Sequence, residues 1–254
     1  MRASYSNALF ISDLHLSEER PACSQAFFSF LESITPSSEA LFILGDFFDY
    51  WVGDDIQTDL AKSVASALTF CASKNSLDIY FLAGNRDFAV GQKFCQSSSM
   101  TLLKEEALFT IADKTVAVSH GDIYCTDDVG YQRYRRVIRN PIVLNALLLL
   151  PKKARIRIAQ KLRLASKEKF NRSPSYIDVT QDAIVRAVTK LDCDILIHGH
   201  THMADIHFIH EPDAYPKRIV LGDWHKVGWY AEFSDQGQHL HRFSIDNPVF
   251  SLNG

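Results

Sequence analysis

The sequence predicts an α/β chain: two mixed β-sheets packed as a sandwich, helices outside, and a helical insertion at 127–172. Three observations predict it. Short apolar runs recur along the chain and end in polar residues, as strands covered on both faces do. Helically spaced stretches alternate with the early runs, which gives mostly parallel strands. A strongly basic segment then breaks this rhythm.

The expected strands are ALFISDL at 8–14, ALFILGD at 40–46, LDIYFLAGN at 77–85, TVAVSH at 115–120, DILIHGH at 194–200 and RIVLGD at 218–223. Helical spacing is expected from Pro21 to about Ile34, with Phe27, Phe28, Phe30 and Leu31 on the apolar side. A second helix is expected from Gln57 to Lys74, carrying Leu60, Val64, Ala67, Leu68 and Cys71, and a third from Tyr176 to Leu191, with Ile177, Ile184, Val185 and Val188 inward. The segments FIHEP, RIVLGDW, WYAEF and HLHRF read as antiparallel strands.

A chain of 254 residues with 46% hydrophobic and 22% charged residues has the makeup of a globular domain with a real core. Its longest apolar stretch, PIVLNALLLLP at 141–151, is too short to span a bilayer and has Pro at both ends. The opening MRASYSNALF lacks the apolar run of a secretory leader. Five cysteines, at 23, 71, 95, 125 and 193, form no CxxC pair, so neither a disulfide framework nor a structural zinc site is expected and a reducing cytoplasm fits.

Charge divides the chain. Tyr131 to Arg172 holds 13 Lys/Arg against one acid, Glu168, and leaves 14 basic and 29 acidic residues elsewhere. This sets 127–172 apart as a module that meets something anionic, inserted between core segments 1–126 and 173–254. Helices are expected at 129–139 and 152–170, where Ile156, Ile158, Leu162 and Leu164 interleave with Lys152, Lys153, Arg155, Arg157, Lys161 and Arg163. A basic amphipathic helix suits a membrane surface. Few aromatic residues lie between 152 and 169, so nucleic acid is not expected as a partner, and no feature demands an obligate protein partner.

The chemistry lies where the apolar runs end. SDLH supplies Asp13 and His15, two apart, which extended backbone would put on one face. LGDFFD supplies Asp46, AGNRD supplies Asn85, Arg86 and Asp87, SHGD supplies His120 and Asp122, and HGHTH supplies His198, His200 and His202. Sites in open α/β sheets form at the carboxyl ends of strands. Asp13, His15, Asp46, Asn85, His120, His200 and His202 exceed what one ion needs. With one bridging carboxylate they suit two ions roughly 3.5–4 Å apart, as in two-metal phosphoesterases. Nitrogen and oxygen donors without thiolate favour manganese, iron or zinc over calcium or copper(I). HGHTH alone would also fit a mononuclear zinc site; the joint order D-x-H, GD, GNxD, HG, GHTH carries the reading.

That order resembles the calcineurin-like metallophosphoesterase superfamily over about residues 8–225. The resemblance implies that Asp13, His15 and His202 hold one metal, that Asn85, His120 and His200 hold a second, and that Asp46 bridges them. It further implies that Asp46, Asn85, Arg86 and His120 serve catalysis, with a metal-held hydroxide as nucleophile. The contexts GDFFDYWVGDD, GNRDFAVGQKF, HGDIYCTDDVGYQRYR and IHGHTH are similar to the branch that acts on UDP-2,3-diacylglucosamine in lipid A synthesis. For this chain the resemblance implies cleavage of that pyrophosphate to UMP and 2,3-diacylglucosamine 1-phosphate, two divalent ions (Mn2+), and peripheral association with the cytoplasmic face of the inner membrane. Substrate contacts carried over are Asn85, Arg86, Asp128, Ser166, Asn171, Arg172 and His200. The chain departs from the family pattern at KFNRSPSY, where Asn171 and Arg172 stand in for a polar residue and a lysine. From the residues alone, Asp128 reads equally as a helix N-cap.

Arg86, beside Asn85, offers the cationic donor a pyrophosphate needs, and the apolar residues of the insertion suit acyl chains. Two other classes remain: a phosphoesterase for another nucleotide or phosphoester, and a scaffold without catalysis. A small substrate would not need a basic, apolar lid, and a scaffold would not need the complete ligand set. Asp122 is expected to orient His120 or cap its loop, and His198 to bond within the HGHTH turn. Asp49, Asp54 and Asp55 are expected as turn or supporting groups, and Trp51 and Trp224 as core.

Overall fold

In the strand Ala8–Ile11 all four residues are buried, and they divide between two cores. Ala8 and Phe10 face one apolar cluster, while Leu9 and Ile11 face another. Ala40–Ile43 repeats the division with Ala40 and Phe42 against Leu41 and Ile43. Period-two side-chain alternation thus turns a run with no polar residue into the shared wall of two layers.

The computed structural model describes residues 2–172, 178–209 and 215–252, and of 165–172 the backbone only. In chain order the elements are β1 (Ser4–Tyr5), β2 (Ala8–Ile11), α1 (Pro21–Ser33), β3 (Ala40–Ile43), α2 (Asp59–Asn75), β4 (Asp78–Phe81), α3 (Gln92–Ser97), β5 (Met100–Leu102), β6 (Glu106–Ile111) and β7 (Lys114–Ser119). They continue with α4 (Val129–Ile138), α5 (Pro141–Leu148), α6 (Lys152–Arg172), α7 (Gln181–Leu191), β8 (Ile195–His198), β9 (Asp205–Phe208), β10 (Lys217–Val220), β11 (Val227–Ser234) and β12 (Gly237–Ser244). One sheet has the order β12-β11-β2-β3-β4-β5 and the other β1-β6-β7-β8-β10-β9. Both are mixed: β2, β3, β4 and β5 run parallel, with β11 antiparallel to β2. In the other sheet β7, β8 and β10 run parallel.

Between the sheets Phe10 stacks on Phe42 at 4.8 Å, and Phe109 meets Phe42 edge-on at 4.7 Å. Full burial of such side chains contributes roughly 1.5–3 kcal/mol each. Helices α1 and α2 cover the outer face of the first sheet through Phe27, Phe30, Val64 and Leu68, and α7 covers the second through Ile184 and Val188. Thr58 caps α2 by accepting from the Ala61 amide at 3.2 Å. All five cysteines are buried, and none of them forms a disulfide.

The expected sandwich is present, with differences at its edges. The parallel strands β2, β3, β4 and β8 end at Ile11, Ile43, Phe81 and His198, short of the expected segments, and the residues that follow leave the sheet as loops. Helix α7 starts at Gln181 rather than Tyr176; Tyr176 and Ile177 lie outside the described residues. The antiparallel expectation holds for β9–β10 and β11–β12, yet β10 also pairs parallel with β8. The apolar stretch after Asn140 becomes α5, capped by the Asn140 side chain and opened by Pro141. No helix among the described residues is long and apolar enough to cross a membrane.

The basic segment meets anions inside the molecule first. Arg155 is buried and clasps Asp55 with both terminal nitrogens, at 2.7 and 2.5 Å, so it is an anchor rather than part of a solvated basic face. Arg163 reaches Asp49 at 2.7 Å and Glu19 at 2.9 Å. Asp49 and Asp55, expected as turn or supporting groups, are the core's half of the clasp that holds α6.

Candidate metal centre

Strands β2, β3, β4, β7 and β8 deliver their following loops to one edge of the sandwich. Asp13 and His15 do not share a face of extended backbone: both have left-handed φ, 57° and 50°. Asp46 (49°), His200 (67°) and His202 (58°) do too. Left-handed backbone costs an L-residue roughly 1–2 kcal/mol. Such strain persists where surrounding structure fixes it and clusters at functional sites. Here loop-to-loop bonds fix it: the Asp13 amide donates to Gly45 O at 3.0 Å, His15 to Asp46 O at 2.9 Å, and Trp224 to Asp13 O at 3.1 Å.

Asp46 is buried between two groups of donors. Its Oδ2 lies 3.9 Å from His15 Nδ1, and its Oδ1 lies 3.7 Å from His120 Nε2 while accepting the Arg86 amide at 2.8 Å. On the first side Asp13 Oδ1 is 3.3 Å from His202 Nε2, and Asp13, His15 and His202 point donor atoms at one spot. On the second side Asn85 Oδ1 sits 3.1 Å from His120 Nε2 and 3.0 Å from His200 Nδ1. All seven expected ligand residues come together in two groups of three with Asp46 between. A second cluster suited to a cation, Asp13 with Asp46 and His120, crosses that division.

The electrostatics fit a divalent cation. Burial lowers His15 and His200 to about 3, which keeps both imidazoles neutral, as ligands must be. His120 Nδ1 lies 2.8 Å from Leu44 O, and a proton held there leaves Nε2 to face the site as a ligand atom. Burial pushes Asp46 up to about 7, with Asp87 and Asp13 adding to the rise against His120. Carboxylates buried this closely require positive charge nearby. Asp13 Oδ1 and His15 Nδ1 are buried without a hydrogen-bond partner, in line with ligand atoms aimed at an ion.

The profile of calcineurin-like phosphoesterases matches residues 7–204. The chain belongs to this family. It is thereby a metal-dependent phosphoester hydrolase, and its donor set fits the divalent ions such a site holds. The chain is similar to a protein of Pseudomonas fluorescens strain SBW25 named UDP-2,3-diacylglucosamine hydrolase, 42% identical over 97% of this chain and 99% of that one. A protein of Stutzerimonas stutzeri strain A1501 with the same name is 43% identical over 93% and 99%. Among solved structures, an archaeal phosphodiesterase aligns with a TM-score of 0.46 at 11% identity, over 94% of this chain and 99% of that one.

Two glycines of the family motifs are steric necessities. A Cβ on Gly84 would lie 2.1 Å from Asp46 Oδ1, and one on Gly199 would lie 2.1 Å from Asp13 Oδ2. Supporting groups hold the rest. Asp87 accepts from Gly84 N and Phe47 N, both at 2.7 Å, and ties the Asn85 loop to the Asp46 loop. Asp54 accepts from Trp51 Nε1, Gly91 N and Phe94 N, each at 3.0 Å. Asp223 Oδ2 is 3.8 Å from His202 Nδ1. His198 Nδ1 bonds Gly199 O at 2.8 Å, as expected, and Trp51 and Trp224 are core.

Asp122 does not hydrogen-bond His120. It accepts from three side chains of the insertion: Tyr131 Oη at 2.7 Å, Arg135 Nε at 2.8 Å and Arg139 Nη2 at 3.3 Å. Burial alone would raise its carboxyl; the charges of His120, Arg139 and Arg135 outweigh that and hold it well below the ordinary range. Motif reading leaves these insertion residues unassigned, although their spacing marks them: 131, 135 and 139 share one face of a helix. Asp128 caps α4 by accepting the Tyr131 amide at 2.9 Å, the alternative its sequence left open. Arg86 is half-buried, and its charge bears on both His15 and Asp46. Ser166, Asn171 and Arg172 fall on α6 where side chains lie outside the described residues.

Proposed function

We propose that the protein hydrolyses the pyrophosphate of UDP-2,3-diacylglucosamine to 2,3-diacylglucosamine 1-phosphate and UMP, using two divalent ions, manganese by family resemblance. The observation that carries this reading is the match, along nearly the full length of both chains, to relatives named UDP-2,3-diacylglucosamine hydrolase. Bound ions supply the charge that neutralises phosphate oxygens and the acidity that makes water a nucleophile at neutral pH. Asp13, His15 and His202 hold one, Asn85, His120 and His200 the other, and Asp46 faces both. Arg86 presents a fixed cation beside Asn85, where it engages a phosphate oxygen.

Residues 127–172 form the lid of this site. Ile158, Leu162 and Leu164 on α6 are exposed, as are Ile142 and Leu149 of the α5 region, and they offer apolar surface for acyl chains. By family resemblance Asp128, Ser166, Asn171 and Arg172 are the substrate contacts this segment supplies. The lid's free basic residues bring the protein to the cytoplasmic face of the inner membrane, where such a substrate resides.

The deciding assay uses metal-stripped protein with manganese restored, on UDP-2,3-diacylglucosamine, UDP-N-acetylglucosamine and an aryl phosphate. Manganese-dependent UMP release from the diacylated substrate alone is the expected result. Cleavage of the aryl phosphate only would retain the phosphoesterase and remove the lipid substrate. For the membrane, reversing Lys153, Arg157 and Lys161, all exposed, is expected to weaken binding to anionic vesicles about tenfold or more, at about 1 kcal/mol per basic residue. Flotation that is unchanged and independent of salt would refute this part.

A further inference from the structure

We propose that Arg139 is a positioning residue for one half of the metal centre, the half made by Asn85, His120 and His200, so that the insertion sets the ion affinity of that half alone. The inference rests on the two-ion reading above. Arg139 ends α4, and its side chain is only 15% exposed. Its Nη2 donates to Ala83 O and Gly84 O, both at 3.1 Å, the two carbonyls immediately before Asn85. The same nitrogen reaches Asp122 Oδ2, two residues beyond His120, and Nη1 lies 3.5 Å from Glu105 Oε1. One guanidinium therefore fixes the separation between the loop that carries Asn85 and the loop that carries His120.

The third donor of this half is registered by the same helix. The Tyr131 ring lies against His200, 5.7 Å between centroids at 31°, while its hydroxyl donates to Asp122. Tyr131, Arg135 and Arg139 recur every four residues along α4 and converge on one carboxylate oxygen. The other half is fixed from the core. Asp13 is held by Gly45 O and the Trp224 amide and His15 by Asp46 O, while His202 lies 3.3 Å from Asp13 and 3.8 Å from Asp223. None of these contacts comes from α4. An amide oxygen and two imidazoles bind an ion well only when their geometry is set in advance. A planar guanidinium can serve two carbonyls and a carboxylate together, whereas an ammonium has no such fork.

The test is manganese titration by calorimetry of the full-length protein, with electron paramagnetic resonance to separate coupled from isolated ions. It compares wild type, Arg139→Ala, Arg139→Lys and, as a control that loosens the lid at its other anchor, Asp55→Ala. Wild type should bind two ions. Arg139→Ala should weaken one of them about 10–100-fold, the range for lost outer-shell partners, and leave the other within about twofold. Arg139→Lys should fall between, and Asp55→Ala should match wild type. Should the alanine variant not fold, the lysine variant decides by the same readout. Equal loss at both ions, no loss at either, or an equal effect of Asp55→Ala would overturn the role of Arg139. A wild type that binds a single ion would overturn the two-ion reading and this inference with it.

Discussion

Replacing Asp46 with alanine is expected to lower kcat by about three orders of magnitude or more and to cost the protein bound metal. Its two carboxylate oxygens address opposite sides of the site, Oδ2 toward His15 and Oδ1 toward His120. No neighbouring oxygen replaces both. Losing several kcal/mol of charge stabilisation at the reacting phosphate, at 1.36 kcal/mol per tenfold, gives about that loss of rate. Removing the carboxylate also leaves the Arg86 amide without its acceptor. Asp46→Asn preserves an oxygen for that amide and separates loop geometry from charge. Turnover at saturating manganese and metal content by mass spectrometry test the prediction together. Alanine-variant activity within about tenfold of wild type, with its full metal content, would end the case for Asp46 between the two halves.

Asp122→Ala is expected to destabilise the protein by about 3–5 kcal/mol, the usual cost of breaking a buried ion pair by removing one partner. The carboxylate is buried, and its Oδ2 serves Tyr131, Arg135 and Arg139 at once. Arg135 is itself buried, so its charge would be left with Glu105 as its remaining close carboxylate. The loss should appear in urea denaturation as a lower midpoint with an unchanged slope, and in hydrogen exchange as faster opening of α4. A midpoint equal to wild type would show that the insertion does not depend on this node. Surface pairs such as Lys62 with Asp59 should give no comparable effect when broken, because both partners are solvated.

Sandwich and site differ in how far they could be read from the chain. The strands were legible because runs such as ALFI, which occurs twice, leave no face for water. The helices α1 and α2 were legible from spacing and from start signals such as Pro21 and Thr58. The start of α7 was not, since apolar spacing continues upstream of the residue where the helix begins. The antiparallel reading of the last strands holds for β10 with β9 but is incomplete, because β10 also pairs parallel with β8, and the strand that lies on its other side is not written in its own pattern.

The sequence by itself determined the donor types and their order: Asp13, His15, Asp46, Asn85, His120, His200 and His202 each follow an apolar run. Runs of that kind suit buried strands, and parallel strands deliver their ends to a common edge, so the chain itself implies that the seven converge. Tertiary structure alone decided how they converge. Left-handed backbone at Asp13, His15, Asp46, His200 and His202 is paid for by bonds between loops distant in sequence, which no local pattern records. It also decided where the basic residues go: Arg135, Arg139, Arg155 and Arg163 turn inward to carboxylates of the core. A count of charges gives the sign of a segment, whereas the partner of each charge is fixed only when the chain folds back on itself.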